Sequence, residues 1–194
     1  MIIAITGFRR CGKDYLANAL KKYFEQNYFS VQKLAFADQP KKIITDLANI
    51  DISELESLKE NKNQKFKCIN KEYNMREFLI KFSNKLKEID ENIWAKALIN
   101  KINPKAQIII ISDLRFKNED KVLRDYANDT NQKYFVIKVE SDLDSCESNN
   151  NDEIEINSII SEFIFKNNKD NFNKEFKKLI KYINTNISTN ISNV

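Results

Sequence analysis

The 194-residue chain has no histidine, and it has only two glycines, two prolines, one tryptophan and three cysteines. Without imidazole there are no Ser-His-Asp or Cys-His nucleophile schemes, no histidine metal sites and no imidazole acid–base catalysis. Chemistry must run on Lys, Arg, Asp, Glu and a bound metal, a toolkit suited to reactions governed by positioning and charge neutralisation. Cys11, Cys68 and Cys146 are odd in number, far apart and without C-x-x-C spacing, which argues against a disulfide framework or a zinc site. No run approaches the roughly eighteen apolar residues of a membrane span, and the start MIIAITG lacks a basic flank or cleavage-type segment. Against 28 acidic residues stand 32 basic ones spread along the chain, a net +4 that is too mild to indicate nucleic-acid binding. A soluble, cytoplasmic protein is expected.

What is present alternates between strand and helix patterns. MIIAIT reads as a buried strand, and a helix follows from Lys13 with Leu16, Leu20 and Phe24 on one face. VQKLAF is a second strand and PKKIITDLANI a helix introduced by Pro40. Residues 51–73 are polar and lysine-rich, with KFKCINKEY read as a small hairpin. Two helices are expected between Asn74 and Ile102, and then QIIIIS, the strongest candidate for a central strand buried on both faces. A helix over 118–126, the strand YFVIKV, an acidic loop, the strand EFIFKN and a helix over 172–183 complete the order. This succession predicts a three-layer α/β fold with a mainly parallel sheet.

Both glycines fall in GFRRCGKD, residues 7–14, where a typical composition of ~7% would spread roughly fourteen along the chain. The stretch fits G-x-x-x-x-G-K between a strand and a helix, with Asp14 where Ser or Thr is usual. Glycines at both ends let the backbone turn its N–H groups inward around phosphate oxygens. The helix N-terminus adds partial positive charge, and Lys13 is placed to reach the β- and γ-phosphates. Asp14 reads either as a magnesium ligand, direct or through water, or as an acid favoured by the helix dipole; both readings can hold together. Arg9 and Arg10 face either phosphate or solvent.

A second cluster, SDLRFKNED, follows the isoleucine run. Ligands of open α/β sheets bind at the carboxyl ends of strands. There Asp113 is placed like an acid orienting Mg²⁺ through water, and Arg115 like a phosphate clamp. The alternative is an Asp113–Arg115 ion pair that pins the next helix.

With these residues in hand, the chain resembles the deoxynucleoside monophosphate kinases of phage and bacterial type, a P-loop kinase branch that is also similar to animal phosphomevalonate kinase. The resemblance is carried by TGFRRCGKD, FADQPKK, MREFLIKF with KEIDENIWAKAL, and IIISDLRFKNE, with FIFKNN as a weaker match. It implies an adenylate-kinase-like P-loop NTPase fold, with MgATP as donor and a nucleoside monophosphate as acceptor. The donor would lie along Gly7, Arg9, Arg10, Cys11, Gly12, Lys13, Asp14 and Tyr15, with Asn167 near the late strand, and Asp14 and Asp113 would serve Mg²⁺. Lys41, Arg76, Lys87 and Arg115 would gather round the acceptor phosphate and transferring group, with Lys13, Lys87 and Arg115 as the catalytic cations. Lys87 stands where the family tends to have arginine, keeping charge without planar bidentate geometry. Trp94 stacks on an acceptor base or belongs to the core.

One domain over residues 1–183 is expected, with an acceptor-binding helical region at about 50–103, a lid-like loop at 140–161 and a polar tail at 184–194. The loop departs from the family pattern. Residues 141–161 contain no Lys or Arg; Asp152 stands nearest the place of a family histidine, and Glu155 matches a family glutamate. Either the cations for the donor come from the P-loop, through Arg9 and Arg10, or activity is reduced. The leading expectation is transfer of the ATP γ-phosphoryl to a (deoxy)nucleoside monophosphate. The alternatives are a kinase of another phosphorylated metabolite such as phosphomevalonate, or a module that binds nucleotide without transfer. Expected partners are the nucleotide substrate, no nucleic acid and no membrane, with a homodimer as the one assembly entertained.

Overall fold

The computed structural model describes residues 1–61, 65–68, 71–141, 151–168 and 171–188. A five-stranded sheet in the order β2-β5-β1-β6-β7, parallel throughout, forms its centre. The strands are β1 (Ile2–Gly7), β2 (Val31–Leu34), β5 (Ile108–Leu114), β6 (Tyr134–Glu140) and β7 (Phe163–Lys166), and an antiparallel hairpin of β3 (Lys65–Cys68) and β4 (Lys71–Asn74) lies apart. The helices are α1 (Lys13–Gln26), α2 (Asp38–Ala48), α3 (Ile52–Glu60), α4 (Met75–Ile89), α5 (Ile93–Ile99), α6 (Lys117–Asp129), α7 (Asn151–Ser158) and α8 (Phe172–Ser188).

The isoleucine run explains the layers. Successive side chains of a strand point to opposite faces. Ile3, Ile5, Ile108 and Ile110 therefore pack with Leu16, Leu20 and Phe24 of α1 and Leu179 and Ile183 of α8. Ile2, Ala4, Ile109 and Ile111 pack on the opposite face with Trp94 and Leu98 of α5 and Leu123 and Ala127 of α6. A strand covered on both sides has no polar face, hence four isoleucines in succession. Ile44, Leu55, Leu58 and Met75 form a smaller core among α2, α3 and α4.

The three-layer fold expected from sequence is the one observed. β1 lies between β5 and β6, while the chain leaves it for β2 on the far side of β5. The crevice at the carboxyl end of β1 is thus a switch point, where such sheets bind ligands. There the β1–β5 register slips: Ala4 faces Ile111, but Thr6 faces Leu114. The extra residue falls at Ser112–Asp113, a bulge of the kind that redirects a side chain.

Several elements differ from the expected ones. No separate helix was assigned over 52–60, read only as polar and lysine-rich, yet α3 forms there and Asp51 caps it by accepting the Glu54 N–H at 2.8 Å. Its signal, Asp-x-x-Glu before leucines three apart, is that of a helix start. β2 stops at Leu34, before the expected Phe36. Within the lid-like loop, residues 151–158 are helical, while residues 142–150, with Cys146, lie outside the described residues, as does the side chain of Asp152. α8 continues through 184–188, so the polar tail begins as helix.

Ile110 is fully buried and Ile89 is 80% exposed. Denaturant melts should therefore show Ile110→Ala destabilising by about 3 kcal/mol and Ile89→Ala by no more than about 0.5 kcal/mol.

Candidate active site

The loop from Gly7 to Gly12 is held in place by its glycines. Gly7 has φ 145°, and a Cβ there would lie 2.5 Å from the Val139 carbonyl oxygen of β6. Gly12 has φ 98°, and its Cβ would meet the Asn167 amide nitrogen at 2.2 Å. Neither position has room for a methyl group, and both use backbone conformations costly to other residues. Arg10 takes a left-handed conformation between them, at φ 67°. Asn167, after β7, donates its side-chain N–H to the Cys11 carbonyl at 2.7 Å. Its side chain thus supports the loop. Cys11 is fully buried in the core below the loop.

Lys13, 8% exposed, donates to the carbonyls of Gly7 at 2.8 Å and Phe8 at 2.5 Å. Burial, reinforced by Arg115, pulls its ammonium below the usual lysine range, with Cys11 and Asp14 opposing. Asp14, in the first turn of α1, has a side chain 82% exposed and lies 3.8 Å from Lys33. Tyr15, 64% exposed, meets Phe172 edge-on at 4.7 Å.

Beside the loop opens a cleft of about 740 Å³ between the carboxyl ends of β2 and β5 and the helices α2, α4 and α5. The sequence-predicted Asp14, Lys41, Arg76, Lys87, Trp94, Asp113 and Arg115 all line it. Arg9 stands close by, because the field of Arg76 pulls the Arg9 guanidinium below its ordinary range, followed by partial burial, Arg10 and, more weakly, Arg115, with Glu60 opposing. Guanidiniums from the loop, α4 and the end of β5 thus converge. Helix α3, missed in the sequence, restrains two of the cleft cations. Lys41 pairs with Glu56 at 2.7 Å, and Arg76 with Glu60 at 3.2 Å. Lys33 and Lys59 also line the cleft; being ordinary lysines in polar stretches, they carried no motif signal.

Asp113 does not form the ion pair with Arg115 that was one of its two expected roles. Its hydrogen bonds go to the backbone N–H groups of Phe36 at 2.7 Å and Ala37 at 3.1 Å, rather than to Arg115. Its carboxylate thus pins the β2–α2 turn. Burial pushes its pKa up, against the two N–H groups and Arg115. Trp94 is 5% exposed, packs on Phe82 and donates its indole N–H to the Ser83 carbonyl at 3.2 Å. It is core that also forms a cleft wall, in line with the second of the two expected roles. Lys87 sits 3.5 Å above the Phe116 ring centroid.

The sequence reading passed over Glu119 although it stands within SDLRFKNED. It is 4% exposed, lines the cleft, and accepts from the Arg115 and Phe116 N–H groups at 3.0 and 3.2 Å. Burial first, then Asp113, raises its pKa to about 7, with the two N–H groups and Lys87 opposing.

As to Mg²⁺, no cluster of three or more acidic, Cys or His side chains exists among the described residues. Magnesium keeps several waters and often takes only one or two carboxylates. Asp14 fits that role by its exposure; Asp113, with both oxygens already accepting from backbone, fits only as a partner through water.

Two measurements test this geometry. Gly12→Ala should reduce ATP affinity by at least about tenfold in calorimetry, because the methyl group and the Asn167 amide cannot share one place. A carboxyl whose folded pKa is raised binds more protons folded than unfolded between the two values. Glu119 therefore lowers stability as pH rises from about 4.5 to 7, by at most about 3 kcal/mol. Between pH 5.5 and 8 the melting temperature of Glu119→Gln should fall less steeply than that of the wild type; parallel slopes would contradict the assignment.

Known proteins agree with the fold. Kti12 from Chaetomium thermophilum, solved with ADP-AlF3, superposes with a TM-score of 0.53 at 13% identity over 94% of this chain and 97% of that one. APS kinase from Mycobacterium tuberculosis gives 0.47 at 10% over 94% and 96%, and thymidylate kinase from Ehrlichia chaffeensis 0.43 at 14% over 94% and 98%. At such identities the likeness is one of fold, and the Kti12 superposition carries it. No curated protein matches the chain. A family model does: that described as phosphomevalonate kinase matches residues 5–130, which spans the loop, the cleft helices and the β5–α6 turn. The chain belongs to the phosphomevalonate kinase family and is a phosphotransferase built on the P-loop kinase fold.

Proposed function

We propose that the protein transfers the γ-phosphoryl group of ATP to the phosphate of a nucleoside 5′-monophosphate, giving the diphosphate. The observation that carries this reading is the convergence of Arg9, Arg76 and Arg115, with Lys13, where the loop meets the cleft. Like charges held in one another's fields are unfavourable alone and become favourable when polyanions are shared among them. Two phosphate groups approaching for transfer are such polyanions.

Under this reading Lys13 leaves the Gly7 and Phe8 carbonyls to bind the donor phosphates. Arg115 bridges the transferring group, Arg76 and Lys41 orient the acceptor phosphate, and Lys87 adds charge from the cleft wall. Asp14, with Asp113 through water, would hold Mg²⁺, which supplies charge neutralisation across the donor phosphates. The acceptor oxygen is already ionised near neutral pH, so in-line attack needs no general base, consistent with a chain lacking histidine. Leu79, Ile80, Ser83 and Asn84 on α4 and the Trp94 wall give the cleft apolar surface beside a hydroxyl and an amide, chemistry suited to a base and its polar edge.

The second reading, phosphorylation of phosphomevalonate, is favoured by the family match over residues 5–130. That acceptor ends in a carboxylate rather than a base, so its far end would be held by Lys33 or Lys59. A third reading, nucleotide binding without transfer, draws on the acidic composition of residues 141–161.

ADP release from MgATP, measured against the eight common ribo- and deoxynucleoside monophosphates, phosphomevalonate and a no-acceptor control, separates the three readings. The proposal predicts turnover with at least one nucleotide and none with phosphomevalonate. Lys13→Ala should lower kcat/KM by about 10²–10³-fold, and Arg115→Ala by at least about tenfold, mainly in kcat.

A further inference from the structure

We propose that Glu119 is a positioning residue: through the turn after β5, its buried carboxylate sets both Arg115 and, by way of the Phe116 ring, Lys87. This inference rests on the phosphoryl-transfer reading. Both backbone bonds go to one oxygen, Oε2, which accepts from Arg115 at 3.0 Å and from Phe116 at 3.2 Å. Phe116 begins α6 in an extended conformation, with φ −118° and ψ 146°. Having no polar side chain, it offers no cap of its own. Glu119 reaches back from the first turn and satisfies the donors that the helix start leaves open. The conformation so fixed decides where the Arg115 side chain leaves the backbone.

The same turn carries the Phe116 ring, its backbone held by the second of these bonds, and the Lys87 ammonium sits 3.5 Å above the ring centroid. Lys87 also favours the ionised form of Glu119, so α4 is tied to the turn through both ring and charge. Arg115, Phe116, Lys87 and Glu119 all line the cleft. A bare helix cap needs neither near-complete burial at a ligand cleft nor two cations directed by the residues it holds; an exposed Ser or Asp just before the helix would serve. The burial is costly for a carboxylate, a cost that a plain helix start does not require.

The test compares wild type, Glu119→Gln, Glu119→Ala, Arg115→Ala and the Glu119→Ala/Arg115→Ala double variant. Two readouts are used: calorimetric affinity for inorganic pyrophosphate, and kcat with MgATP and an equimolar mixture of the four deoxynucleoside monophosphates. Glu119→Ala should weaken pyrophosphate binding and lower kcat about tenfold each, while Glu119→Gln, whose carboxamide oxygen still accepts both N–H groups, stays within about threefold of wild type. In the Arg115→Ala background, Glu119→Ala should add less than about twofold, because the two residues act as a unit. Should Glu119→Ala not fold, Glu119→Asp, which keeps the charge but retracts the acceptor, carries the same expectation. Multiplicative losses in the double variant, or a lowered melting temperature with wild-type affinity and kcat, would overturn the proposal. Wild type inert toward every acceptor would defeat the transfer reading instead, and the pyrophosphate arm would still decide the role of Glu119.

Discussion

Repulsion among cations held at the carboxyl end of a buried sheet is the constraint on which the rest of the structure depends. Arg9, Arg76 and Arg115 come from the loop, from α4 and from the end of β5, and Arg9 lies in the fields of the other two. A free chain would let such groups part. Here the sheet prevents it, because β1 and β5 are locked by interior isoleucines on both faces. Core packing supplies the rigidity, and the rigidity holds charges that no local interaction would bring together.

Small restraints then tune each charge. Glu56 and Glu60 on α3 pair with Lys41 and Arg76. Asp113 spends its oxygens on the β2–α2 turn, which brings α2 and its Lys41 toward the cleft. Asn167 closes the loop from behind by bonding to Cys11 and filling the space beside Gly12. Thus two side chains placed among ligand-binding groups, Asp113 and Asn167, also hold the backbone. Within the loop, the Cys11 side chain is buried in the core and serves to shape it.

Much of this was legible in the chain. The isoleucine run announced a strand covered on both faces, and the concentration of both glycines in one octapeptide announced the phosphate loop; each is a local pattern with one physical cause. What escaped depended on distance. Helix α3 was hidden by polar composition, although Asp51 and Glu54 carried its start. Asp113 was read against its neighbour Arg115, because sequence shows adjacency and not the β2–α2 turn that approaches from 76 residues away. Trp94 was open between core and a stacking platform, since its enclosure by the Ser83 carbonyl and Phe82 depends on how α4 and α5 pack. Glu119 lay inside a recognised motif, but its burial follows from how α4 and α6 close on the turn, which no spacing reveals.

The central claim is that the loop and the adjoining cleft form one continuous site for two phosphate-bearing ligands. Calorimetric binding of a bisubstrate compound, adenosine and a deoxynucleoside joined through five phosphates, tests it most directly. The account predicts affinity at least about a hundredfold above that for ATP alone, since joining two ligands makes the second contact intramolecular. It also predicts loss of that gain in Arg76→Ala, which removes a cation from the cleft and leaves the loop intact. Binding no tighter than ATP, with Arg76→Ala indistinguishable from wild type, would mean that the two regions do not act as one site.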